Sequence, residues 1–528
     1  MKTLFFFLLL IFNIISEISA QTPQIKWWYD VLDSSFGQSA AGDIDKDGKP
    51  EIVFGCYRND SCVYALNGED GSLLWKYNTK TSAEGCNDVA ILLYDVDKDD
   101  TLEVIVPSSC NPKTFCFNGK SGAVKWMTGT AGSDSPPTIA DLNNDGKLEI
   151  LHGGFDGHVS CLDAETGIQA WSKTVFSNSW VQTAPSIVDL DGNGQLDFVV
   201  GTWAFSPDTS RIYAYRGNNQ TLLWSRAVDD YIYHGTAVAD FDNDSKPELV
   251  IGDYSGKLYA LNGENGSLLW QYQASVYIGA PATIADVNQD GNCDILYCDA
   301  YGVGALSKTG SPMWYYTIPG NGTAFRGVAV ADIDGDHLPD VAFGTSSGHV
   351  IVLRGSNGSL IWDLNLEAHI GKAFDINHAP LIADFDMDGK IDIFVVGGHS
   401  EYPAFQNNYG RAYMITAGNG YGPDWMMFQH DITRHSSMCD AAVGVADILG
   451  EKDDTNMFLS PNPCMGKLEI MAEAEGSLEV RSVRGELLQS ALHHEKRSNL
   501  DVSSLPAGLY FVCLKTSNGM LVKKLVKQ

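Results

Sequence analysis

The fold of this chain is decided by the stretch Asp43-Ile44-Asp45-Lys46-Asp47-Gly48-Lys49-Pro50-Glu51, which leads directly into Ile52-Val53-Phe54-Gly55. Eight versions of this stretch recur, and the steps between their first residues are 52, 46, 48, 51, 46, 46 and 52 residues. A single acidic turn is common on protein surfaces, but eight in register indicate a repeat architecture. These acidic loops one to eight begin at Asp43, Asp95, Asp141, Asp189, Asp240, Asp286, Asp332 and Asp384.

Each acidic loop has oxygen-bearing side chains at positions 1, 3, 5 and 9. Calcium takes six to eight oxygen ligands, and alternate residues of a tight loop can face one centre. The sequence therefore predicts up to eight Ca²⁺ sites. The predicted ligands are Asp43, Asp45, Asp47, Glu51, Asp95, Asp97, Asp99, Glu103, Asp141, Asn143, Asp145, Glu149, Asp189, Asp191, Asn193, Asp197, Asp240, Asp242, Asp244, Glu248, Asp286, Asn288, Asp290, Asp294, Asp332, Asp334, Asp336, Asp340, Asp384, Asp386, Asp388 and Asp392.

Position 6 of the acidic loop is a turn residue, and it differs between repeats. It is glycine in five loops but Asp100, Ser245 and His337 in the other three. A left-handed backbone there costs a residue with a side chain roughly 1 kcal/mol or more, and least for aspartate. We therefore expect the loops that begin at Asp240 and Asp332 to bind calcium most weakly.

Each repeat also contains four short apolar segments separated by turns. In the fifth repeat, a small-residue strand at 236–239 precedes the loop, and strands at 249–252, 257–261 and 268–270 follow it. Four strands in 46–52 residues predict one antiparallel sheet per repeat, and such sheets must stack to bury their faces. The sequence thus predicts an all-β, eight-bladed β-propeller.

An additional strand, Ile25-Lys26-Trp27-Trp28-Tyr29, precedes the first repeat. We expect it to pair with the last repeat and close the ring. An open solenoid is the alternative, and it would need polar caps at both ends.

Two known repeat families are similar to these motifs. The D-x-D-x-D-G-x-x-[DE] loop followed by a [VI]-x-G strand resembles the FG-GAP/VCBS repeats of integrin-α-like propellers. The segment Ala-Leu-Asn-Gly-x-x-Gly-x-x-x-Trp resembles repeats of quinoprotein-dehydrogenase-like propellers. Together the resemblances cover roughly residues 25–430. They imply a propeller with bound calcium and leave the activity open.

The N-terminus and the net charge define the compartment. Residues 1–20 have a charged tip, an apolar run and Ile18-Ser19-Ala20 before Gln21, the pattern of a secretory signal peptide. No later stretch is apolar and long enough to span a bilayer. The formal net charge of −31 argues against nucleic-acid binding. Much of this charge has a local cause, because 29 of the 32 predicted ligands are Asp or Glu.

The chain has 11 cysteines, an odd number, in a protein predicted to pass through an oxidising compartment. Cys56 and Cys62 flank a predicted hairpin turn, which favours a local disulfide. Cys86 with Cys110 is a second candidate pair. No cysteine or histidine cluster has zinc spacing, and no adjacent cysteine pair of the kind found in some quinone-binding enzymes is present.

The residues just before each inner strand are expected to line one mouth of the central channel. At the equivalent position six residues ahead of the first ligand, three repeats carry His234, Arg326 and His378. If these side chains converge, they would form a pocket for a polar or acidic sugar, or an acid/base site. The alternative is that variable loop residues fall on these positions by chance. Gly344-Thr345-Ser346-Ser347-Gly348 matches a nucleophile elbow, but no helix follows, so we interpret it as a hairpin turn.

The repeat pattern ends after Trp425. We place the propeller at 21–430, a polar linker at 431–458 and a separate domain at 459–528. The Pro461-Asn462-Pro463 segment, the Leu505-to-Val512 run and the basic end resemble a type A sorting domain of the type IX secretion system, found in Bacteroidetes. That resemblance implies a small β-sandwich, export across the outer membrane and the type IX machinery as a partner.

Together these patterns predict a secreted or cell-surface calcium-binding propeller. We expect a non-catalytic module that binds a glycan or a protein, as adhesion proteins do. The alternative is a polysaccharide lyase or hydrolase that uses the mouth of the channel.

Overall fold

The computed structural model describes residues 22–81, 85–242, 244, 246–420 and 422–439. Towards the C-terminus it describes 457–460, 466–472, 476–482, 487–493, 497–503, 505, 508–516 and 519–527. The chain divides into two compact units, Met1–Gly444 and Val445–Gln528. The predicted signal peptide and most of the predicted linker lie outside the described residues.

The first unit is all-β and propeller-like, with eight four-stranded antiparallel sheets. Within each sheet the short strand that precedes the acidic loop lies at one edge, and the later strands follow outward in order. Sheets one to four comprise Ala40–Gly42, Glu51–Gly55, Cys62–Asn67, Leu73–Asn78; Leu92–Tyr94, Glu103–Pro107, Lys113–Asn118, Val124–Gly129; Thr138–Ala140, Glu149–Gly153, His158–Asp163, Gln169–Thr174; and Ser186–Val188, Asp197–Gly201, Arg211–Arg216, Leu222–Ala227.

Sheets five to eight have the same order. They comprise Ala237–Ala239, Glu248–Gly252, Lys257–Asn262, Leu268–Gln273; Thr283–Ala285, Asp294–Asp299, Gly302–Leu306, Pro312–Thr317; Ala329–Ala331, Asp340–Gly344, His349–Arg354, Leu360–Asn365; and Leu381–Ala383, Ile391–His399, Tyr409–Gly418, Gln24–Val31. A two-stranded ribbon joins Ser179–Trp180 to Trp203–Ala204. The helical segments are short, at Pro319–Asn321, Leu366–Ile370 and Phe405–Asn407.

The N-terminal strand completes sheet eight, as predicted. Gln24–Val31 pairs antiparallel with Tyr409–Gly418, so the outermost strand of the last sheet comes from the start of the chain. Sheet eight also packs against sheet one, because Phe54 of sheet one lies 5.9 Å from Phe394 of sheet eight, ring centroid to ring centroid. The first and last sheets are therefore neighbours, and the array has no free end.

A recurring tryptophan contact joins six of the eight sheets to the next one. The Trp27 indole donates to the carbonyl of Gly68 in sheet one at 2.8 Å. Its ring covers Gly71, which has a φ of +72°, and a Cβ there would lie 2.5 Å from the ring. The Gly-to-Trp spacing in the sequence therefore reflects a contact between sheets. The same indole donation occurs at Trp75, Trp126, Trp224, Trp270 and Trp314.

Residues 422–439, the plug, run through the middle of the ring. Their backbone bonds to the inner strands, for example from Ala41 N to Met426 O at 2.8 Å and from Val238 N to His435 O at 2.8 Å. An inner strand is an edge with unpaired backbone groups, and the plug satisfies them. Further bonds of this kind reach Ile139, Ile187, Ile284, Asp332 and Ile382.

The fully buried Arg434 anchors the plug. Its guanidinium donates to the carbonyls of Pro137 and Ile91, both at 3.1 Å. The sequence placed residues from 431 onward in a linker, whereas the structure places 431–439 inside the ring. The polar composition of this segment is typical of a linker. Its backbone partners come from strands that are distant in the sequence, so local composition could not predict this packing.

The disulfides differ in part from the sequence expectation. Cys86 bonds to Cys110, as predicted. The prediction of a Cys56–Cys62 bridge is wrong: both thiols are free and buried, and Cys62 Sγ lies 3.4 Å from the carbonyl of Asp60. A second disulfide joins Cys293, within acidic loop six, to Cys439 at the end of the plug.

The second unit consists of two antiparallel sheets. One contains Met457–Ser460, Lys467–Ala472 and Arg497–Asp501, and the other Leu487–His493, Gly476–Ser482, Gly508–Thr516 and Gly519–Lys527. Both sheets contribute to one apolar core, which includes Leu468, Ile470, Val480 and Val512. This is the two-layer arrangement that the alternating sequence predicts.

Candidate functional site

The three predicted ligand-binding residues all lie in the segments that lead into inner strands. His234 precedes Ala237–Ala239, Arg326 precedes Ala329–Ala331 and His378 precedes Leu381–Ala383. All inner strands run in the same direction, so these segments lie at one end of the ring and the acidic loops at the other. All three side chains are buried, with 2–5% of their surface exposed.

His234 and Arg326 are in direct contact. Arg326 Nη1 lies 3.3 Å from His234 Nδ1. A guanidinium can only donate, so His234 Nδ1 accepts and the imidazole proton sits on Nε2. Burial and the nearby Arg326 charge hold the pKa of His234 well below its usual value. His234 Nε2 and Arg326 Nε have no hydrogen-bond partner among the described residues, so both present unused donors.

His378 also presents an unused donor. The backbone N–H of Ser39 donates to His378 Nε2 at 2.9 Å, which places the imidazole proton on Nδ1. Among the described residues, that Nδ1 has no partner. Burial, followed by repulsion from Arg326, lowers the pKa of His378 to about 3, so the ring is neutral at physiological pH. Both histidines are therefore neutral donors and are not proton carriers at pH 7.

Two carboxyl groups face the same region. Asp134 Oδ2 accepts from Gln182 Nε2 at 3.1 Å and from the Tyr233 hydroxyl at 3.4 Å. Burial, and next the charge of Asp88, raise the pKa of Asp134 to about 7. Burial also raises the pKa of Asp88, which accepts a hydrogen bond from Ser109 Oγ. Asp134 Oδ1 and Gln182 Oε1 lack partners among the described residues.

A belt of aromatic side chains borders these polar groups. The Trp203 and Tyr231 rings stack with centroids 4.3 Å apart, and Tyr254 stacks on Tyr277 at 5.1 Å. Tyr233 joins the belt to the polar cluster, because its ring centroid lies 3.8 Å from that of His234. The aromatic belt comprises Phe155, Trp180, Trp203, Phe205, Tyr231, Tyr233, Tyr254 and Tyr277.

The plug forms the floor beneath the polar cluster. Phe428 is buried and packs edge-on to His234, with ring centroids 6.2 Å apart. Beside it, Gln429 Nε2 donates to the carbonyl of Thr236 at 3.1 Å. We call the polar cluster and its belt the central site. The spacing of the repeats identified His234, Arg326 and His378, but nothing periodic marked Trp203, Tyr254 or the plug.

At the other end of the ring, several of the acidic loops bring their carboxylates together. In loop one, the backbone N–H groups of Asp47 and Gly48 donate to the two oxygens of Asp43, both at 3.1 Å, which curls the loop. Within each of several loops, carboxylate oxygens from three residues lie within 4.8 Å of one another. These groups are Asp43, Asp45 and Glu51; Asp95, Asp97 and Asp99; Asp189, Asp191 and Asp197; Asp240, Asp242 and Glu248; and Asp332, Asp334 and Asp336.

Position 6 has a left-handed backbone in all seven loops where the structure describes it. Asp100 and His337 adopt φ values of 66° and 68° despite their side chains. The glycines at this position have φ values from +79° to +92°. The prediction of a left-handed turn is confirmed there, and Ser245 lies outside the described residues.

The carboxylate at position 9 is buried at the start of the second strand. Burial raises the pKa of Glu51, Glu149, Glu248 and Asp294 to about 7. Glu51 Oε1, Glu248 Oε1 and Asp294 Oδ2 have no partner among the described residues. A cation stabilises a buried carboxylate that has an unused oxygen beside other carboxylates, and hard oxygen ligands suit Ca²⁺. These loops fit the predicted ion.

Four other acidic loops already contain a basic side chain. In loop two, Lys125 Nζ pairs with Asp97 and lies 2.9 Å from Glu103. In loop eight, Lys26 Nζ pairs with Asp386 and lies 3.1 Å from Asp392. In the same way Arg216 pairs with Asp191 and Asp197 of loop four, and Arg354 with Asp334 and Asp336 of loop seven.

No helix within the described residues has the length and apolar character that a membrane crossing requires.

Two protein families match the chain. The family described as outer membrane protein assembly factor BamB matches residues 11–177, 149–277 and 208–420 in overlapping segments. The family described as secretion system C-terminal sorting domain matches residues 459–528. The second match indicates type IX secretion, by which the protein is released or attached to the cell surface.

One curated relative aligns with part of the chain. Quinohemoprotein alcohol dehydrogenase ADH-IIG of Pseudomonas putida is 25% identical over 234 residues, which are 37% of this chain and 31% of that enzyme. The chain thus spans about a third of the curated relative that it matches.

Two solved structures show the same kind of fold. The V. cholerae biofilm matrix protein Bap1 aligns over 77% of this chain and 94% of its own, with 16% identity and a TM-score of 0.57. A quinohemoprotein alcohol dehydrogenase of Comamonas testosteroni aligns over 76% and 77%, with 12% identity and a TM-score of 0.51. At these identities the likeness shows the propeller-like fold alone.

Proposed function

The chain belongs to the family described as outer membrane protein assembly factor BamB, and from that premise we propose that it is an exported glycan-binding propeller. It holds a saccharide at the central site without breaking it, outside the outer membrane. Calcium in FG-GAP/VCBS-type loops at the opposite end stabilises an eight-bladed ring. Family membership accounts for the repeats, and the binding role rests on the central site.

The observation that carries this proposal is the mixture of unused donors and acceptors in the central site. Within the part of the chain that the structure describes, His234 Nε2, His378 Nδ1 and Arg326 Nε are unused donors, while Asp134 Oδ1 and Gln182 Oε1 are unused acceptors. A buried polar atom without a partner is costly, so a ligand that supplies partners binds favourably. Saccharide hydroxyls both donate and accept, so they suit such a mixed set.

The aromatic belt supports the same class of ligand. Sugar rings have apolar faces that pack on aromatic side chains, and the stacked pairs of the belt form flat surfaces. Tyr277 is 36% exposed, so the belt is accessible at its outer end. Polar groups at the inner end and rings at the outer end suit a chain of sugars that enters end-on.

A polysaccharide-acting enzyme is the second candidate, and one observation favours it. Asp134 has a pKa of about 7 and lies near the Asp88 charge, as a general acid with a carboxylate neighbour does. The two histidines do not add a base, because the unprotonated nitrogen of each ring already accepts a hydrogen bond, from Arg326 in His234 and from Ser39 in His378. Bond cleavage would make Asp134 the acid, and an Asp134→Asn variant would then bind but not release product.

A glycan array run with the full exported chain, with and without chelator, tests the proposal. We expect binding to a defined group of saccharides, with no new reducing ends released from any hit over many hours. The Arg326→Gln variant should lose the hits, while Lys76→Gln, an exposed position on the outer strand of sheet one, should keep them. Release of product by the parent chain but not by Asp134→Asn would establish the enzyme instead. Absence of all hits would overturn both candidates.

A further inference from the structure

The eight acidic loops differ in one respect that the repeat pattern conceals: some contain a cation of the protein itself. Within the described residues, Lys26, Lys125, Arg216 and Arg354 each form ion pairs with two carboxylates of one loop. No lysine or arginine in that same set pairs with Glu51, Glu149, Glu248 or Asp294, the position 9 carboxylates of loops one, three, five and six.

These four basic residues do not come from one repeated position. Lys26 and Lys125 directly precede the outer-strand tryptophans Trp27 and Trp126, where the other repeats have apolar residues or alanine. Arg216 and Arg354 end the third strand, opposite the position 9 residues Asp197 and Asp340. Two different positions therefore supply a cation to the same place in the loop, which indicates that the place requires a positive charge.

The basic group contacts the same carboxylates that are predicted to hold a metal. In loops two, four and eight it bridges the carboxylates at positions 3 and 9, and in loop seven those at positions 3 and 5. A dication within reach of the same oxygens would stand beside an ammonium or guanidinium group, and like charges at that distance repel. The oxygens cannot bind both cations at full strength.

In the loops without a basic group, the position 9 carboxylate is buried and has no lysine or arginine partner among the described residues. Glu51, Glu248 and Asp294 are 0–2% exposed, and each keeps one carboxylate oxygen without a partner among the described residues. The nearest lysine contact in loop one is to a backbone oxygen, from Lys120 Nζ to the carbonyl of Asp45 at 2.8 Å. In loop three Glu149 accepts from the Asn143 amide, which is itself a predicted ligand.

Unused oxygens alone do not separate the two groups, because Asp340 and Asp392 of loops seven and eight also keep one. The difference is the charge already supplied. We propose that divalent cations bind only at loops one, three, five and six, and that Lys125, Arg216, Arg354 and Lys26 replace the metal at loops two, four, seven and eight. This inference rests on the calcium part of the proposed function.

Counting the bound ions of the full exported chain tests the division. After dialysis against 2 mM Ca²⁺ (about twice the upper dissociation constant of extracellular modules), elemental analysis and calorimetry should give three or four ions per chain. Five or more ions would overturn the division and leave calcium binding intact. Two or fewer would also overturn it, and zero would refute the calcium part of the proposed function as well.

Single variants locate the ions without requiring a new fold. Glu51→Gln should lower the count by one, whereas Asp97→Asn in loop two should leave it unchanged. Arg354→Gln and Lys125→Gln should each add one ion, and Lys76→Gln, on the outer strand of sheet one, should add none. If Asp97→Asn lowered the count as Glu51→Gln does, at equal melting temperatures, the proposal would be wrong.

Discussion

The two ends of the ring use the same strands for opposite purposes. At the loop end, every repeat presents nearly the same acidic turn, with backbone donors folded onto the first aspartate. At the mouth end, the equivalent positions carry different side chains, including Val89, His234 and Arg326. Repetition at one end distributes stability over many small sites. Variation at the other end concentrates unlike groups into a single site.

The comparison predicts that removing calcium affects the loop end and has the largest effect on stability. Extracellular calcium modules bind at about 10⁻⁴–10⁻³ M. At ~1 mM free Ca²⁺, four ions would contribute roughly 2–6 kcal/mol to the free energy of unfolding. We expect EDTA to lower the melting temperature by several degrees and added Ca²⁺ to restore it. An unchanged melting curve in EDTA would remove the stabilising role of the loop end.

Replacing Arg326 with glutamine should affect only the mouth end. Hydrogen bonds that involve a charged group contribute about 1.5–3 kcal/mol, so the affinity for the best array saccharide should fall roughly 10- to 100-fold. Isothermal titration calorimetry measures this change. Lys76→Gln is the matched loss of one positive charge, and it should bind as the parent does. A loss of calcium by Arg326→Gln would contradict the independence of the two ends.

Asp134 should make stability depend on pH at the mouth end. Its pKa is about 7 in the folded protein, above the ~3.9 of an unfolded chain, so the folded state holds the proton more tightly. Stability is therefore lost as pH rises from about 4 to 7 and levels off above that range. The groups that face it are Asp88, Gln182, Tyr233 and Arg326.

The Asp134→Asn variant removes this titration. We expect the free energy of unfolding of the variant, taken relative to that of the parent, to be about 1–3 kcal/mol larger at pH 8 than at pH 5. Urea unfolding of both proteins at both pH values measures this difference. Equal differences at the two pH values would show that Asp134 titrates normally.

The smallest expected effect separates backbone strain from packing at the loop end. Gly146 has a φ of +86°, and no atom lies within 4 Å of the place that a Cβ would occupy, so Gly146→Ala should cost only about 1 kcal/mol of backbone strain. Gly129 also has open space where a Cβ would lie, but its φ is not in the left-handed region. Gly129→Ala should therefore cost nothing, and thermal unfolding of both variants checks the difference.

The sequence predicted what repeats. The repeat pattern predicted the sheets and the left-handed turns at position 6, because both follow from hydrophobic alternation and turn residues within about 50 residues. The pairing of the N-terminal strand was predicted from the extra tryptophan-containing strand that precedes the first repeat. Register also selected His234, Arg326 and His378, since equivalent positions in a ring lie around one axis. The sequence did not show that Trp27 and its equivalents contact the neighbouring sheet, because the pattern within one repeat carries no information about contacts between repeats.

The rest could not be predicted because it does not repeat. The plug bonds to inner strands throughout the ring, and its buried Arg434 takes carbonyls from Pro137 and Ile91, about 300 and 340 residues away. Cys439 reaches Cys293 because the plug brings the end of the segment close to acidic loop six. The basic residues that pair with the acidic loops come from two different strand positions, so no single equivalent position, compared across the repeats, identifies them. A search for Arg before the turn and Lys before Trp would have found all four.

The strand Gln24–Val31 has a consequence for how the protein is made. It is synthesised before all eight repeats, yet its partner strand belongs to the last repeat, and the Asp30–Arg411 pair is separated by 381 positions. A nascent or truncated chain that lacks the last repeat therefore leaves the N-terminal strand unpaired, and the ring stays open. Only a polypeptide that includes Tyr409–Gly418 can pair the N-terminal strand, so the ring closes after the last repeat has been made.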